Sequence, residues 1–170
     1  MALEIERKYL VVGEFRDYAH HRSHMVQGYI ASGNRTVRVR ISDDGAWLTI
    51  KGPSRNHGLT RVEWEKQISM EEAYDLLQLS VGAIIEKDRY YVHAGSHTIE
   101  VDVFYGANRG LVLAEIELQD ENEHVELPTW IGPEVTGIKQ YYNSNLRVHP
   151  FCEWPDEQRS QEELYLPDIF

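Results

Sequence analysis

Cysteine, long apolar runs and net positive charge are scarce or absent in this sequence of 170 residues. Cys152 is the only cysteine, which excludes an internal disulfide and is typical of a reducing compartment, so we expect a cytoplasmic protein. No apolar run approaches the roughly 18 residues that a membrane span needs, and the N-terminus lacks the basic and apolar regions of a signal peptide. We therefore expect neither secretion nor a membrane partner.

Positive charge is in deficit, because 17 Lys and Arg residues face 28 Asp and Glu residues and give a formal net charge of -11. This balance argues against broad nucleic-acid binding, so we expect no nucleic-acid partner. Much of the excess negative charge lies in residues 151–170, which contain six carboxylates and a single arginine. We expect one domain over residues 1–150, followed by an acidic C-terminal tail over residues 151–170 that is flexible or docks late.

Seven stretches have the period of two that is typical of β-strands: residues 3–12, 36–41, 47–51, 61–68, 85–93, 97–104 and 112–118. A helix is predicted over residues 70–81, because Ser69 and Glu72 have the spacing of a capping box. We expect a second, short helix over residues 139–147 and a helical turn within 128–137. His20, His21 and His24 are expected in a loop that binds no metal. This density of short strands predicts an antiparallel sheet or barrel.

Charged residues share one parity in strand after strand. Glu4, Glu6 and Lys8 alternate with Ile5 and Tyr9, and the same alternation recurs in the other predicted strands. One solvated sheet face is the simplest explanation for any single strand. Like charges about 7 Å apart along a strand repel each other, however, so their repetition favours a face that binds ions.

The charges fall into an acidic set and a basic set. Carboxylate pairs are suited to a hard divalent cation such as Mg²⁺ or Mn²⁺, and they comprise Glu4, Glu6, Glu63, Glu65, Glu100, Asp102, Glu115 and Glu117. Lysine and arginine are suited to a multiply charged anion, and this set comprises Arg38, Arg40, Lys51, Lys87 and Arg89. Closing the sheet with these charges inward predicts a metal and polyphosphate site in a polar lumen.

These motifs together resemble the CYTH superfamily, also called triphosphate tunnel metalloenzymes. The resemblance starts at Glu4-x-Glu6-x-Lys8 and covers residues 2–146. It continues through Gln27-Gly28-Tyr29, Arg38-x-Arg40, Thr49-Ile50-Lys51, Glu63-x-Glu65, Lys87-x-Arg89, Glu100-x-Asp102, Glu115-x-Glu117, Glu134-Val135-Thr136, Lys139, Tyr142 and Asn143. Each short motif is weak alone, whereas the ordered set at one parity is specific.

The resemblance implies an α+β, mainly β fold: a closed tunnel of eight antiparallel strands with a charged lumen, a few covering helices and a triphosphate threaded through it. It also implies a divalent metal and the hydrolysis of inorganic tripolyphosphate to pyrophosphate and phosphate. Lys8, Tyr29 and Lys87 would be catalytic, with Lys8 and Tyr29 as a pair that orients water or the terminal phosphate. Lys139 would join the basic set in binding the substrate.

Other functions stay open from the sequence. Within the family, the alternatives are an adenylyl cyclase and a nucleoside or thiamine triphosphatase, and one of the four tryptophans could stack on an organic group of such a substrate. A non-catalytic polyphosphate-binding module would keep the basic set but could lose carboxylates. Outside the family, a protein-interaction module with a solvated sheet is a further alternative. The oligomeric state is also open, and a homodimer is possible.

Overall fold

The computed structural model describes residues 2–159, which form nine strands and two α-helices. The strands are β1 (Ala2–Val11), β2 (Ala19–Ala31), β3 (Thr36–Ser42), β4 (Gly45–Lys51), β5 (Thr60–Ile68), β6 (Ile85–Ala94), β7 (His97–Phe104), β8 (Val112–Leu118) and β9 (Ile131–Glu134). The helices are α1 (Met70–Leu77) and α2 (Asn143–Leu146). None of the helices within residues 2–159 is long and apolar enough to cross a membrane.

Eight of the strands close into an antiparallel barrel. The strand order is β5, β4, β3, β2, β6, β7, β8, β1, and a further pairing of β1 with β5 completes the ring. This closure confirms the predicted fold class. β9 pairs with the end of β1 outside the ring, where the sequence had suggested a turn of helix. β2 was also missed as a strand, so His20, His21 and His24 lie on a strand and not in a loop.

The apolar core lies outside the barrel wall, because the charged parity of each strand faces inward. Tyr9 and Val11 pack with Phe15 and Trp130 on the outer surface, and not against the covering helices that the resemblance implies. Arg7 has the same outward parity, and its guanidinium donates to the Glu134 carboxylate of β9 at 3.0 Å. The outward residues of β1 are therefore covered by irregular segments and by β9.

Helix α1 covers a second part of the wall. Ser69 and Glu72 form the predicted capping box, in which the Ser69 hydroxyl accepts from the Glu72 amide at 3.0 Å. The helix ends at Leu77, four residues earlier than predicted. Ala73 is fully buried against Val39 and Ile41 of β3, so α1 seals the outside of the β2–β4 wall.

The predicted C-terminal helix is shorter than expected, since residues 139–147 contain a 3₁₀ turn (Lys139–Tyr141) followed by α2. Phe151 and Trp154 come after the predicted domain boundary at residue 150, yet both side chains are buried. At least the beginning of the acidic segment therefore packs on the barrel. Residues 160–170 of the predicted tail lie outside the described residues.

Candidate active site

The lumen of the barrel holds a charged cavity. Its walls come from inward-facing residues of β1, β2, β3, β4, β5, β6 and β8 and from α2. The lining charges are Glu6, Lys8, Arg38, Arg40, Lys51, Arg61, Lys87, Arg89 and Glu115. In β1, β3, β4, β5, β6 and β8 the charged face is therefore inward and the apolar face outward, as predicted, whereas β2 was not predicted as a strand.

An apolar layer ends the lumen on four neighbouring strands. Each of its residues is two positions from a lumenal charge and therefore on the same face of its strand. Leu10 comes two residues after Lys8 and Phe104 two residues after Asp102, whereas Leu113 and Ile85 come two residues before Glu115 and Lys87. Val135, Leu146, Phe151 and Trp154 pack against this layer. On these strands the cavity is therefore closed at one end by the chain that follows the barrel.

Asp102 organises two of the basic residues. Its carboxylate is fully buried and accepts from the Lys87 ammonium at 2.7 Å and from the Arg89 guanidinium through two bonds of 2.8 and 3.0 Å. Lys87 is itself only 1% exposed. Burial and the positive charges of Arg89 and Arg40 lower the pKa of Lys87 to about 7, although the Asp102 carboxylate opposes this shift. Both Asp102 oxygens are therefore already bonded to cations, and its predicted metal role gains no support from these contacts.

Arg38 and Arg40 carry positive charge that carboxylates compensate only weakly. The Arg40 Nε donates to the neutral Gln27 side chain at 3.0 Å. Burial and the neighbouring Arg38 and Arg89 lower the Arg40 pKa to about 10. The Arg38 Nε is buried and has no hydrogen-bond partner among residues 2–159, and its guanidinium lies 3.7 Å from Glu65. Buried guanidinium groups of this kind are suited to the oxygens of a bound anion.

The acidic residues opposite them form two carboxyl pairs. Burial would raise the pKa of Glu4, but Lys51 and a hydrogen bond with Glu63 lower it to about 2. Burial and the Glu4 carboxylate raise the pKa of Glu63 to about 7. Between about pH 2 and pH 7 this pair therefore shares one proton.

The second pair is Glu6 and Glu115. Burial and the Glu115 and Glu4 charges raise the pKa of Glu6 well above its usual value. Although burial opposes ionisation, Lys8 at 3.4 Å and Arg89 at 3.8 Å hold the pKa of Glu115 well below its usual value. Glu6 is therefore the member of this pair that binds a proton more readily, and in its protonated form it donates to the ionised Glu115.

These pairs fit a hard divalent cation in their chemistry. Paired carboxyls that share protons offer only oxygen ligands, and a cation between them could replace the protons. Within residues 2–159 the acidic side chains meet in pairs, and no three Asp, Glu, His or Cys residues lie close enough to form a ready metal site. The donor type therefore fits Mg²⁺ or Mn²⁺, and the arrangement would have to tighten around the ion.

The remaining predicted carboxylates lie towards the other end of the lumen. Glu65 accepts from Thr49 at 2.6 Å, and Glu100 pairs with the Arg89 guanidinium. Glu117 is exposed and lies opposite Glu6 across the β1–β8 pairing. All three have the predicted inward parity, but they line the mouth of the lumen and not its central cavity.

The predicted pairing of Lys8 with Tyr29 is not formed in this arrangement. Both residues line the cavity, but the Lys8 ammonium donates to the Tyr141 carbonyl at 3.2 Å and pairs with Glu115. The Tyr29 hydroxyl instead accepts from the Gln27 amide at 3.0 Å. The two side chains therefore have separate partners.

Lys139 does not join the site, whereas Arg61 does. Lys139 lies exposed in the 3₁₀ turn before α2, away from the residues that line the cavity. Arg61 lines the cavity on β5 and lies over the Tyr142 ring at 5.5 Å. Its parity matches that of Glu63 and Glu65, so the alternation that found those residues also carried the signal for Arg61.

Comparison with known proteins agrees with this geometry. The CYTH domain family matches residues 2–146. The chain is 44% identical over 153 residues to an inorganic triphosphatase of Acetivibrio thermocellus, covering 89% of this chain and 97% of that protein. It is 34% identical over 150 residues to an inorganic triphosphatase of Nitrosomonas europaea, covering 85% of this chain and 97% of that protein.

Solved structures give the same result. A crystal structure of an inorganic triphosphatase superposes with a TM-score of 0.61 at 31% identity, covering 87% of this chain and 96% of that one. A Pyrococcus horikoshii protein shares the fold at 20% identity, with a TM-score of 0.56 over 70% of this chain and 80% of that one. The barrel, its inward charges and these relatives together show that the chain belongs to the CYTH domain family.

Proposed function

We propose that the protein hydrolyses inorganic tripolyphosphate to pyrophosphate and phosphate with the help of a divalent cation. The observation that carries this proposal is the division of one enclosed lumen between incompletely compensated guanidinium groups and proton-sharing carboxyl pairs. The two relatives at 44% and 34% identity, both named inorganic triphosphatase, support the same activity.

Arg38, Arg40, Lys51, Lys87 and Arg89 would bind the phosphate chain. Phosphoryl transfer depends mainly on positioning and on neutralising charge that spreads over the phosphoryl oxygens. Asp102 holds Lys87 and Arg89 in fixed orientations, so their remaining N–H groups are directed before substrate arrives. Because Lys51 is bonded to Glu4 at 2.9 Å, it would bind phosphate at the boundary between the basic and acidic sets.

The carboxylates Glu4, Glu6, Glu63 and Glu115 would hold Mg²⁺ or Mn²⁺, with Glu65, Glu100 and Glu117 acting nearer the mouth. A cation there supplies neutralisation of phosphate charge and activation of water. Glu6 and Glu63 must lose their protons before they can act as ligands. Lys8 keeps Glu115 ionised, and its raised pKa, which Glu115 and Glu6 maintain against burial, keeps the ammonium charged.

Phosphate release from tripolyphosphate, ATP and thiamine triphosphate, each with Mg²⁺ and with Mn²⁺, tests this proposal. We expect the highest kcat/KM with tripolyphosphate, one phosphate per pyrophosphate formed, and no release in the presence of EDTA. Release that is unaffected by EDTA would contradict the metal requirement. Faster turnover of ATP or thiamine triphosphate would contradict the assigned substrate.

A nucleoside triphosphate is a second candidate substrate, because aromatic side chains flank the mouth of the lumen. Trp47 and Tyr91 line this mouth together with Arg40 and Arg89. A base could stack on either ring while its phosphates reach the two arginines. Incubation with ATP and Mn²⁺, followed by separation of ADP, AMP and cyclic AMP, distinguishes hydrolysis from cyclisation. The cytoplasmic location and the oligomeric state stay as predictions.

A further inference from the structure

Two amide side chains connect the basic residues at the closed side of the lumen. Gln27 of β2 is fully buried, and Asn143 at the start of α2 is 9% exposed. The Gln27 side chain accepts from Arg40 at 3.0 Å and donates to the Tyr29 hydroxyl at 3.0 Å and to the Asn143 oxygen at 3.1 Å. The same Asn143 oxygen accepts from the Lys87 ammonium at 2.8 Å. Neither amide has an assigned role in the proposed reaction.

The chemistry of Arg40 fixes the direction of this network. A guanidinium can only donate, so the Gln27 atom that faces Arg40 must be its oxygen. The Gln27 nitrogen then faces Tyr29 and Asn143, and its two N–H groups are both used. Asn143 must present its oxygen to Gln27 in return, and this orientation also suits the Lys87 ammonium. The polarity of the whole network therefore follows from one obligatory donor.

This polarity has a consequence for Tyr29. Its hydroxyl oxygen accepts from Gln27, so its own proton cannot point back along that bond. Tyr29 lines the cavity, and the proton is therefore free to be donated towards the lumen. Arg40, Lys87 and Tyr29 would then all present N–H or O–H donors to a bound anion, which is the arrangement that phosphate oxygens require.

We propose that Gln27 is a positioning residue that keeps the Tyr29 hydroxyl as a donor towards the substrate. The inference rests on the proposed triphosphatase activity and deepens it, because it assigns a hydrogen-bond direction to the closed side of the lumen. Gln27 touches Tyr29 and Arg40 and acts through them, and it is too deeply buried to be explained as a surface contact.

The substitution Gln27→Glu tests the direction with little change of shape. A glutamate at this position can still accept from Arg40, but when ionised it cannot donate to Tyr29. The Tyr29 hydroxyl would then donate to the new carboxylate and be lost to the substrate. Asn143→Asp is the matched control, since it adds the same charge and size change while keeping an oxygen that accepts from Gln27 and Lys87.

The measurements are kcat and KM for tripolyphosphate, with thermal melting of each variant to confirm that it is folded. Both variants should raise KM by a similar factor, because each places a negative charge beside a substrate-binding cation. Only Gln27→Glu should also lower kcat, on the order of 10- to 100-fold, the effect of one hydrogen bond to a charged group. An equal kcat in the two variants would overturn the inference.

A double-mutant cycle with Tyr29→Phe shows whether Gln27 acts through Tyr29. Tyr29→Phe should lower kcat by a similar factor, and adding Gln27→Glu should then change kcat by less than about twofold. Independent, multiplying losses would overturn the inference, because a general packing role for Gln27 would not depend on the Tyr29 hydroxyl. Absence of tripolyphosphate turnover in the unmodified protein would instead overturn the proposed function on which the inference rests.

Discussion

At the scale of single residues, Glu115 is the carboxylate on which the acidic and basic sets converge. Its side chain lies 3.4 Å from Lys8 and 3.8 Å from Arg89, and it shares a hydrogen bond with Glu6. A neutral group here would leave the second carboxyl pair without its ionised member. The metal and the orientation of Lys8 would be affected together, although the size of the side chain would not change.

We predict that Glu115→Gln lowers kcat for tripolyphosphate by at least 100-fold while the far-UV circular dichroism spectrum stays unchanged. The loss follows from removing a charged ligand, since interactions with a buried charge contribute about 3 kcal/mol or more. Glu134→Gln is a suitable control, because Glu134 pairs with Arg7 on the outside of the barrel. Activity of Glu115→Gln at the level of this control would contradict the assignment.

The sequence predicts which residues face the lumen better than it predicts their partners. Alternation places Glu4, Glu6 and Lys8 on one face of their strand, and the recurrence of like charges from strand to strand predicts that this face is inside. It cannot show that Asp102 binds Lys87 and Arg89, since that contact depends on the register between β6 and β7. Lys139 lies outside any strand, so parity carried no information about it.

At the scale of elements, charge parity fails where a strand carries no lumenal charge. The inward residues of β2 include Ser23, Met25, Gln27 and Tyr29. None of these four is charged at neutral pH, so β2 shows no alternation of charged and apolar residues there. β9 contains Gly132 and Pro133, which are both unfavourable in strand interiors, and it forms because β1 offers a free edge beyond the end of its pairing with β5. Neither strand could be found from its own residues.

Helix α1 was predictable because its start signal is local. The Ser69 hydroxyl and the Glu72 carboxylate satisfy each other's backbone amides at 3.0 Å. We predict that Ser69→Ala lowers the free energy of unfolding by about 1 kcal/mol in urea titrations. The kcat should not change, since α1 packs on the outer wall. Ser54→Ala in an exposed loop is the control and should leave both quantities unchanged.

Truncation of the segment after residue 150 tests the predicted domain boundary at that residue. Phe151 and Trp154 are 1% and 8% exposed, their rings lie 5.1 Å apart, and both pack on the apolar layer that ends the lumen. A chain ending at His149 loses both side chains, and we predict a loss of at least about 3 kcal/mol in unfolding free energy. A chain ending at Arg159 keeps every contact described above and is the reference for this comparison. Equal stability of the two truncated chains would support a boundary at residue 150.

At the scale of the whole molecule, the barrel has reversed the usual arrangement of a protein core. The apolar clusters lie outside the strand wall, and the buried charges lie within it. Enclosed charges are costly unless they are paired, which explains why most lumenal charges have an opposite charge within 4 Å. Arg40 has no carboxylate within 4 Å among residues 2–159, and Arg38 has only Glu65 at 3.7 Å. These two arginines and the shared protons of the carboxyl pairs mark where anion and cation binding would relieve the remaining cost.

This arrangement predicts a bell-shaped dependence of kcat/KM on pH. Glu63 has a pKa of about 7, so its proton competes with the cation below pH 7 and activity should rise with pH. Lys87 also has a pKa of about 7, so its positive charge is lost as the pH rises further and binding of the anion should weaken. The two effects have opposite signs and place the maximum near neutral pH.

Bound ligands should shift the acidic limb of this pH profile, where activity rises, to lower pH and the alkaline limb, where activity falls, to higher pH. A bound cation favours the ionised form of Glu63 and lowers its pKa, whereas a bound triphosphate favours charged Lys87 and raises its pKa. The pH profile of kcat at saturating metal and substrate should therefore be broader than that of kcat/KM at low metal. Lys87→Arg, which stays charged throughout, should lose the alkaline fall and keep the acidic one. An unchanged alkaline limb in Lys87→Arg would show that another group causes it.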